Sequence, residues 1–432
     1  MESIPSPYAP RFRAAVSRDR LGVVYKLAIL LYVLAVVVLS YREGLTIFAK
    51  GAGLLLAALF VFRAVSSGEK IFVPREYLLL FAWFLIGVVS STISRAPGTA
   101  FDRVVTLCQV LPLAFIISNF IYWNGDSRFY WLCLVGAALL SGVMTLASPV
   151  EFTGIDGRLF GTLGNANAFA ALLAVGVAIC LGATLGKRTI VTRIVCVALA
   201  GFFLYLVART GSRMGMLASL AAAIAVAGCI QVSGRSRGVI RSTWFLALGA
   251  AIVAAMIYFL SSSEFADRLW ALTSAAEKGD FAAVGDNSLL GRALLYKKAF
   301  ELAMENPLLG VGLDVFRTAG IEYRTIGNNS HSNYMEVLAS TGIVGFGLYY
   351  AIYYSWWSRL VKARNVLKDP FLADRIAIAV AIASVMLVLD VAWVTYYEKL
   401  SLLVIAGLIA EVNLVSRAGL AQSSETGRWR GR

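Results

Sequence analysis

The sequence predicts an all-α polytopic membrane protein of about twelve transmembrane helices with one long, partly helical outer loop. Three observations carry that reading. Of 432 residues, 59% are hydrophobic and only 15% charged, against about 25% charged in an ordinary soluble domain. The apolar residues fall in repeated runs of about 20, the length a helix needs to cross a bilayer. Finally, Lys and Arg concentrate in alternate connections between those runs, the charge bias that sets orientation.

The runs place spans at 22–40, 45–63, 77–93, 104–122, 129–149, 168–185, 190–208, 214–231, 243–260, 334–357, 376–394 and 399–415. Arg11, Arg13, Arg18 and Arg20 resemble the start of a signal peptide. The apolar run after them is too long and lacks a small-residue cleavage site, so a retained first helix is expected. The N-terminus, 63–76, 123–128, 186–193, 232–242, 358–375 and the C-terminal tail hold 23 Lys and Arg. The opposite short loops, 41–44, 94–103, 150–167, 209–213 and 395–399, hold 7. The first set is thus expected to be cytoplasmic, with both termini inside. Most of the net charge of +14 then encodes topology, and nucleic-acid binding is set aside.

Residues 261–333 form a loop far longer than the usual connection and, by parity, lie outside. The expected organisation is therefore 1–260 with transmembrane helices 1–9, a loop domain at 261–333, and 334–432 with helices 10–12 and a cytoplasmic tail. Ser261 and Glu264 have capping-box spacing ahead of a periodic stretch, Phe265 to Ala276. Asp286, Asn287 and Ser288 offer an N-cap for a second loop helix that Asn306-Pro307 ends. On that helix Leu289, Ala293, Tyr296, Phe300 and Ala303 share one face, and the link Gly310-Val311-Gly312 follows.

Several chemistries find no residues. The five cysteines, Cys108, Cys133, Cys180, Cys196 and Cys229, lack the spacing of a zinc site or disulfide framework. Gly182-Ala183-Thr184-Leu185-Gly186-Lys187 is one residue short of a P-loop and continues with Arg188. There is no Asp-x-Asp metal clamp and no Gly-x-Ser-x-Gly nucleophile elbow. Nothing calls for a metal or a cofactor.

What remains faces outward. His331, the only histidine, stands where the long loop re-enters the membrane. It fits a general base, or an interfacial histidine satisfied by neighbouring Asn and Ser. Arg158, Arg209, Arg213 and Arg292 lie on the side depleted in positive charge. Each alone can snorkel or pair with Asp156, Asp286 or Glu301; together they suggest an outward anion site, because guanidinium forks suit phosphate oxygens. Glu336 and Asp390, charged residues inside spans, fall near the outer ends, on the side of His331. Chemistry outside has no ATP, so the substrate must arrive activated, and a lipid-linked pyrophosphate fits. A metal-independent membrane glycosyltransferase follows.

Four segments resemble the O-antigen ligase and polymerase superfamily of bacterial envelopes. They are Arg158-Leu159-Phe160-Gly161-Thr162 through Asn167; Thr210-Gly211-Ser212-Arg213; Ser288-Leu289-Leu290-Gly291-Arg292 through Asn306-Pro307-Leu308-Leu309-Gly310-Val311-Gly312; and His331-Ser332-Asn333-Tyr334 through Gly342-Ile343-Val344-Gly345. The resemblance covers roughly 150–350. It implies an O-antigen ligase in the bacterial inner membrane, with its active site at the periplasmic face. Polysaccharide would pass from undecaprenyl pyrophosphate to the lipid A–core oligosaccharide. His331 would be the base and Arg213 and Arg292 the main pyrophosphate ligands, followed by Arg158 and Arg209. Asn165, Asn167, Asn333 and Tyr334 would support them. The family often reads His-Asn, whereas here Ser332 intervenes before Asn333. A polymerase of the same superfamily is the first alternative; one dominant outer loop favours the ligase. A transporter or flippase of a lipid-linked anion is the second, disfavoured because its polar features belong at mid-membrane in matched halves.

Overall fold

A computed structural model describes residues 21–233 apart from 40, 43, 155, 156 and 187, and then 289–319 and 329–430. The expected ninth span, the Phe265 to Ala276 helix, Asp156, and the Asp286–Ser288 cap lie outside these residues. The described chain is built of helices: α1 (Val23–Leu34, continued by a π turn Ala35–Leu39), α2 (Thr46–Ser66), α3 (Arg75–Thr92), α4 (Pro97–Asn124), α5 (Arg128–Ala147), α6 (Ala166–Ala183), α7 (Ile190–Arg209), α8 (Arg213–Val232), α9 (Leu289–Glu305), α10 (Asn333–Lys362), α11 (Ala373–Leu389) and α12 (Lys399–Arg430). No strand is present among the described residues; Thr153 and Leu159 form one isolated bridge. All but α9 coincide with expected spans. Nine of the described helices are long and apolar enough to cross a membrane. The chain is an all-α multi-pass membrane protein.

Local chemistry explains several boundaries. Asn165, Thr189 and Ser212 are N-caps whose side chains accept backbone N–H groups of the first turns of α6, α7 and α8. Gly125 ends α4 in the left-handed conformation, φ 73°. Helices α6, α8 and α11 pack on one another, and α12 lies against α4, α10 and α11. Small residues line these contacts: a Cβ on Gly182 would meet the Ile378 backbone at 2.7 Å. By contrast α2 and α7 keep most of their apolar side chains at the periphery, as expected of faces turned to lipid.

Contacts between connections segregate by side. Arg128 grips Asp374 through Nε and Nη2, at 3.0 and 2.9 Å, and Arg188 reaches the same carboxylate at 2.9 Å. Arg375 pairs with Glu411 at 2.7 Å, both fully buried, and Arg63 with Glu69 at 3.0 Å. Every one of these lies at the end expected to be cytoplasmic. At the other end Tyr41 donates to Glu398 at 2.9 Å, and Arg42, Arg95 and Arg103 pair with Glu151, Glu305 and Asp314.

Helix α10 is broken at Gly342, with φ 61° and ψ −169°, a conformation that only glycine adopts readily. The break releases backbone groups that the segment 307–312 satisfies. Val311 and Gly312 N–H donate to the carbonyls of Ala339 and Ser340 at 2.9 and 3.1 Å. In return Ile343 and Val344 N–H donate to Pro307 and Leu308 at 2.8 and 3.3 Å. The crossing brings backbone onto backbone: a Cβ on Gly342 would lie 2.4 Å from the Leu308 carbonyl carbon, and one on Gly310 2.4 Å from that of Ser340.

Candidate active site

Two groups of expected residues gather at the end expected to face outward. The first surrounds the N-termini of α6 and α8. Asn165 Oδ1 accepts N–H bonds from Asn167 and Ala168 at 2.8 and 3.1 Å. Ser212 Oγ accepts from Gly215 N–H at 3.3 Å and donates to Asn167 Oδ1 at 3.0 Å, fastening the two helix starts side by side. Arg158 folds over the α7–α8 turn, its Nε donating to the Thr210 carbonyl at 2.8 Å. Gly211, φ 61°, makes room for it. Arg213 is the first residue of α8 and half-buried, while Arg209 is exposed and donates to the Tyr205 hydroxyl at 3.0 Å. Two helix N-termini with three arginines make an electropositive corner suited to an oxyanion. Within it Asn165 and Asn167 cap and tie helices.

The second group is the His331 segment. His331 is half-buried and left-handed, φ 54°. Its N–H donates to Asn329 Oδ1 at 3.0 Å, and Ser330 N–H donates to Glu336 Oε2 at 2.9 Å. Asn333 is buried and structural. Its Oδ1 accepts the N–H groups of Thr395 and Tyr396 at 2.9 and 3.0 Å, and its Nδ2 donates to Tyr350 and Asp390. Tyr334 donates to the Leu387 carbonyl and stacks on Tyr350. Glu336 and Asp390 thus both join the His331 segment.

Arg292 lies on α9, which packs on α10 beside this second group. The buried stripe of α9 is Leu295, Ala299, Leu302 and Ala303, while Phe300 is 56% exposed. Of the expected face, Ala303 is buried and Tyr296 half-buried but Phe300 is exposed, so the buried side is centred about one residue round, on Leu295, Ala299 and Leu302. Leu295, Ala299 and Leu302 pack with Ala339 of α10 and with Phe316. One turn along, the Tyr296 hydroxyl donates to the Val391 carbonyl at 2.8 Å. Burial raises the pKa of that hydroxyl and the positive charge of Arg292 opposes the rise. Arg292 is half-buried, and its Nε has no hydrogen-bond partner among the described residues. The two groups are connected through α11, which packs on α6, α8 and α10.

One set of charges beside His331 gave no signal in the sequence. Arg103 pairs with buried Asp314 at 2.6 Å and lies 3.6 Å above the Tyr397 ring. The Tyr397 hydroxyl takes hydrogen bonds from Arg317 at 3.4 Å and Asn329 at 3.2 Å, and burial pushes its pKa up to about 12. These residues come from parts of the chain far apart in sequence, the first turns of α4, the stretch 314–329 and the α11–α12 connection, at unremarkable spacings. Among the described residues no three His, Cys, Asp or Glu side chains converge as a metal site.

The segment that carries Arg209, Arg213, Arg292 and His331 now has a counterpart among known proteins. Residues 197–350 match the O-antigen ligase family model. The match runs from α7 through the break in α10 and leaves Arg158 outside. It supports placing the chain in the O-antigen ligase superfamily of membrane glycosyltransferases. No curated protein matches the chain.

Proposed function

We propose that the protein is an O-antigen ligase. It would transfer polysaccharide from undecaprenyl pyrophosphate to a hydroxyl of the lipid A–core oligosaccharide, at the periplasmic face of the bacterial inner membrane. The observation that carries this reading is the shared placement of the electropositive corner and the His331 segment at one end of the bundle. That end is the one depleted in Lys and Arg, hence periplasmic by the charge rule, with both termini cytoplasmic. Arg213 and Arg292, with Arg158 and Arg209, would hold the pyrophosphate. His331 takes the proton of the acceptor hydroxyl as its oxygen attacks the anomeric carbon. The bond to the pyrophosphate oxygen breaks on the opposite side, so the anomeric centre inverts. The charge that develops on the leaving pyrophosphate is stabilised by the guanidinium groups and helix N-termini. No step needs a metal or nucleotide.

The test is transfer in detergent by the purified protein, given lipid-linked glycan and acceptor with no nucleotide or metal added. His331→Ala should abolish transfer. Full activity in that variant sinks the general-base role, and retained configuration in the product sinks inversion. Arg213→Ala should lower kcat by about 2–4 kcal/mol of transition-state stabilisation, the scale of a single lost oxyanion donor. In a deletion strain, long polymer left on the lipid carrier marks a ligase, whereas single repeat units mark a polymerase.

A further inference from the structure

We infer that Asn329 and Glu336 are positioning residues for His331, clamping its own amide and that of the residue before it into the turn that presents the imidazole. The inference rests on the general-base reading above. Four successive amides around the histidine have assigned acceptors. Ser330 N–H goes to Glu336 Oε2 at 2.9 Å, and His331 N–H to Asn329 Oδ1 at 3.0 Å. Ser332 N–H goes to Ser330 Oγ at 3.4 Å, and Asn333 N–H to the Asp390 carbonyl at 2.8 Å. A non-glycine residue stays left-handed only where its surroundings over-determine it, and here they do.

Each clamp is itself anchored. Asn329 closes an Asx turn over His331, while its Nδ2 donates to the Tyr397 hydroxyl at 3.2 Å. The Tyr397 ring lies under the Arg103 guanidinium, so Asn329 is tied to a packed loop. Glu336 is fully buried on the first turns of α10 and reaches back past the helix start to Ser330. Its Oε1 has no hydrogen-bond partner among the described residues. A buried carboxylate is a costly means of holding one amide. The cost is understandable where the orientation of the neighbouring side chain decides a reaction.

Because the chain has a single histidine, imidazole labelling gives one NMR resonance that reports on this site alone. Wild type is compared with Asn329→Ala, Glu336→Ala, Glu336→Gln and His331→Ala. Asn329→Ala and Glu336→Ala should lower kcat on the order of 10–100-fold, as misplacement of a reacting group by about 1 Å does, with both KM values within about twofold. Both should shift or broaden the resonance. Glu336→Gln, which keeps an acceptor oxygen for Ser330 N–H, should recover most of the loss seen with Ala. Wild-type kcat with an unmoved resonance in both Ala variants overturns the proposal, whatever their thermal stability. If Glu336→Ala does not fold, Asn329→Ala, at a half-buried position, decides alone. If His331→Ala transfers at the wild-type rate, the base reading fails instead, and the clamp is judged by the resonance.

Discussion

Replacing Gly342 by alanine should disrupt the backbone crossing that splits α10. The native conformation, φ 61° and ψ −169°, costs a residue with a Cβ about 1–3 kcal/mol. The new methyl would also sit 2.4 Å from the Leu308 carbonyl carbon and oxygen and 2.6 Å from Leu309 N. Backbone atoms cannot rotate out of the way as a side-chain tip can, so the 307–309 segment must withdraw. Withdrawal lengthens the bonds from Ile343 and Val344 N–H to Pro307 and Leu308, at about 0.5–1.5 kcal/mol each. Together these give a loss of about 2–6 kcal/mol. Thermal unfolding in detergent reads it as a large fall in apparent Tm. Gly347→Ala is the control: it lies in the same helix with nothing within 4 Å of its Cβ, and should be neutral or slightly stabilising. Gly310→Ala pushes the same crossing apart from the other side, so the double variant should lose less than the sum. Equal Tm values for Gly342→Ala and Gly347→Ala would refute the reasoning.

Three more outcomes are expected. Arg375→Met strands the Glu411 carboxylate in a fully buried site and should cost about 3–5 kcal/mol. The Arg375→Met/Glu411→Leu pair should regain most of it in the same melt, and a double variant no better than the single would count against a paired charge. Asn165→Ala removes the acceptor of two N–H groups at the start of α6 and should cost about 1 kcal/mol; an unchanged melting curve would speak against the cap. Glu398, half-buried beside Tyr41, has its carboxyl pKa raised, by burial first, with the Tyr41 hydrogen bond and Arg103 opposing. A raised native pKa means the stabilising neutral form is fully present below the unfolded value, about 4.3, and is lost as pH rises through the native value. Glu398→Gln cannot ionise, so its Tm advantage over wild type should grow from pH 4 to pH 8. A gap that is flat or shrinks with pH contradicts the sign.

The spans were legible because length and hydropathy alone decide whether a helix crosses a bilayer, and α1 to α8 and α10 to α12 coincide with expected runs. The grouping of the connections into two ends was legible for a related reason: the loops that the charge count put together do touch one another, as Arg128 and Arg188 do at Asp374. The face of α9 was not. That helix carries two apolar stripes one residue apart, Leu295, Ala299 and Leu302 beside Tyr296 and Phe300, and periodicity cannot choose between them. Its packing partner, Ala339 of α10, makes the choice. The roles of Asn165 and Asn167 were blurred because an asparagine before an apolar run serves equally as a substrate contact or a cap. The link between Gly310 and Gly342 was invisible for another reason. Both motifs are plain in the sequence, but nothing in either says that they touch.

The ion pairs at the end opposite His331 have a mechanical meaning. Arg128, Arg188 and Asp374 join α5, the α6–α7 connection and α11, and Arg375 with Glu411 adds α12. That end behaves as a rivet: pulling α11 away there would leave the buried Asp374 and Arg375 without their partners. The His331 end is held differently, by ion pairs such as Arg103 to Asp314 and by hydrogen bonds such as Tyr296 to Val391 and Tyr334 to Leu387.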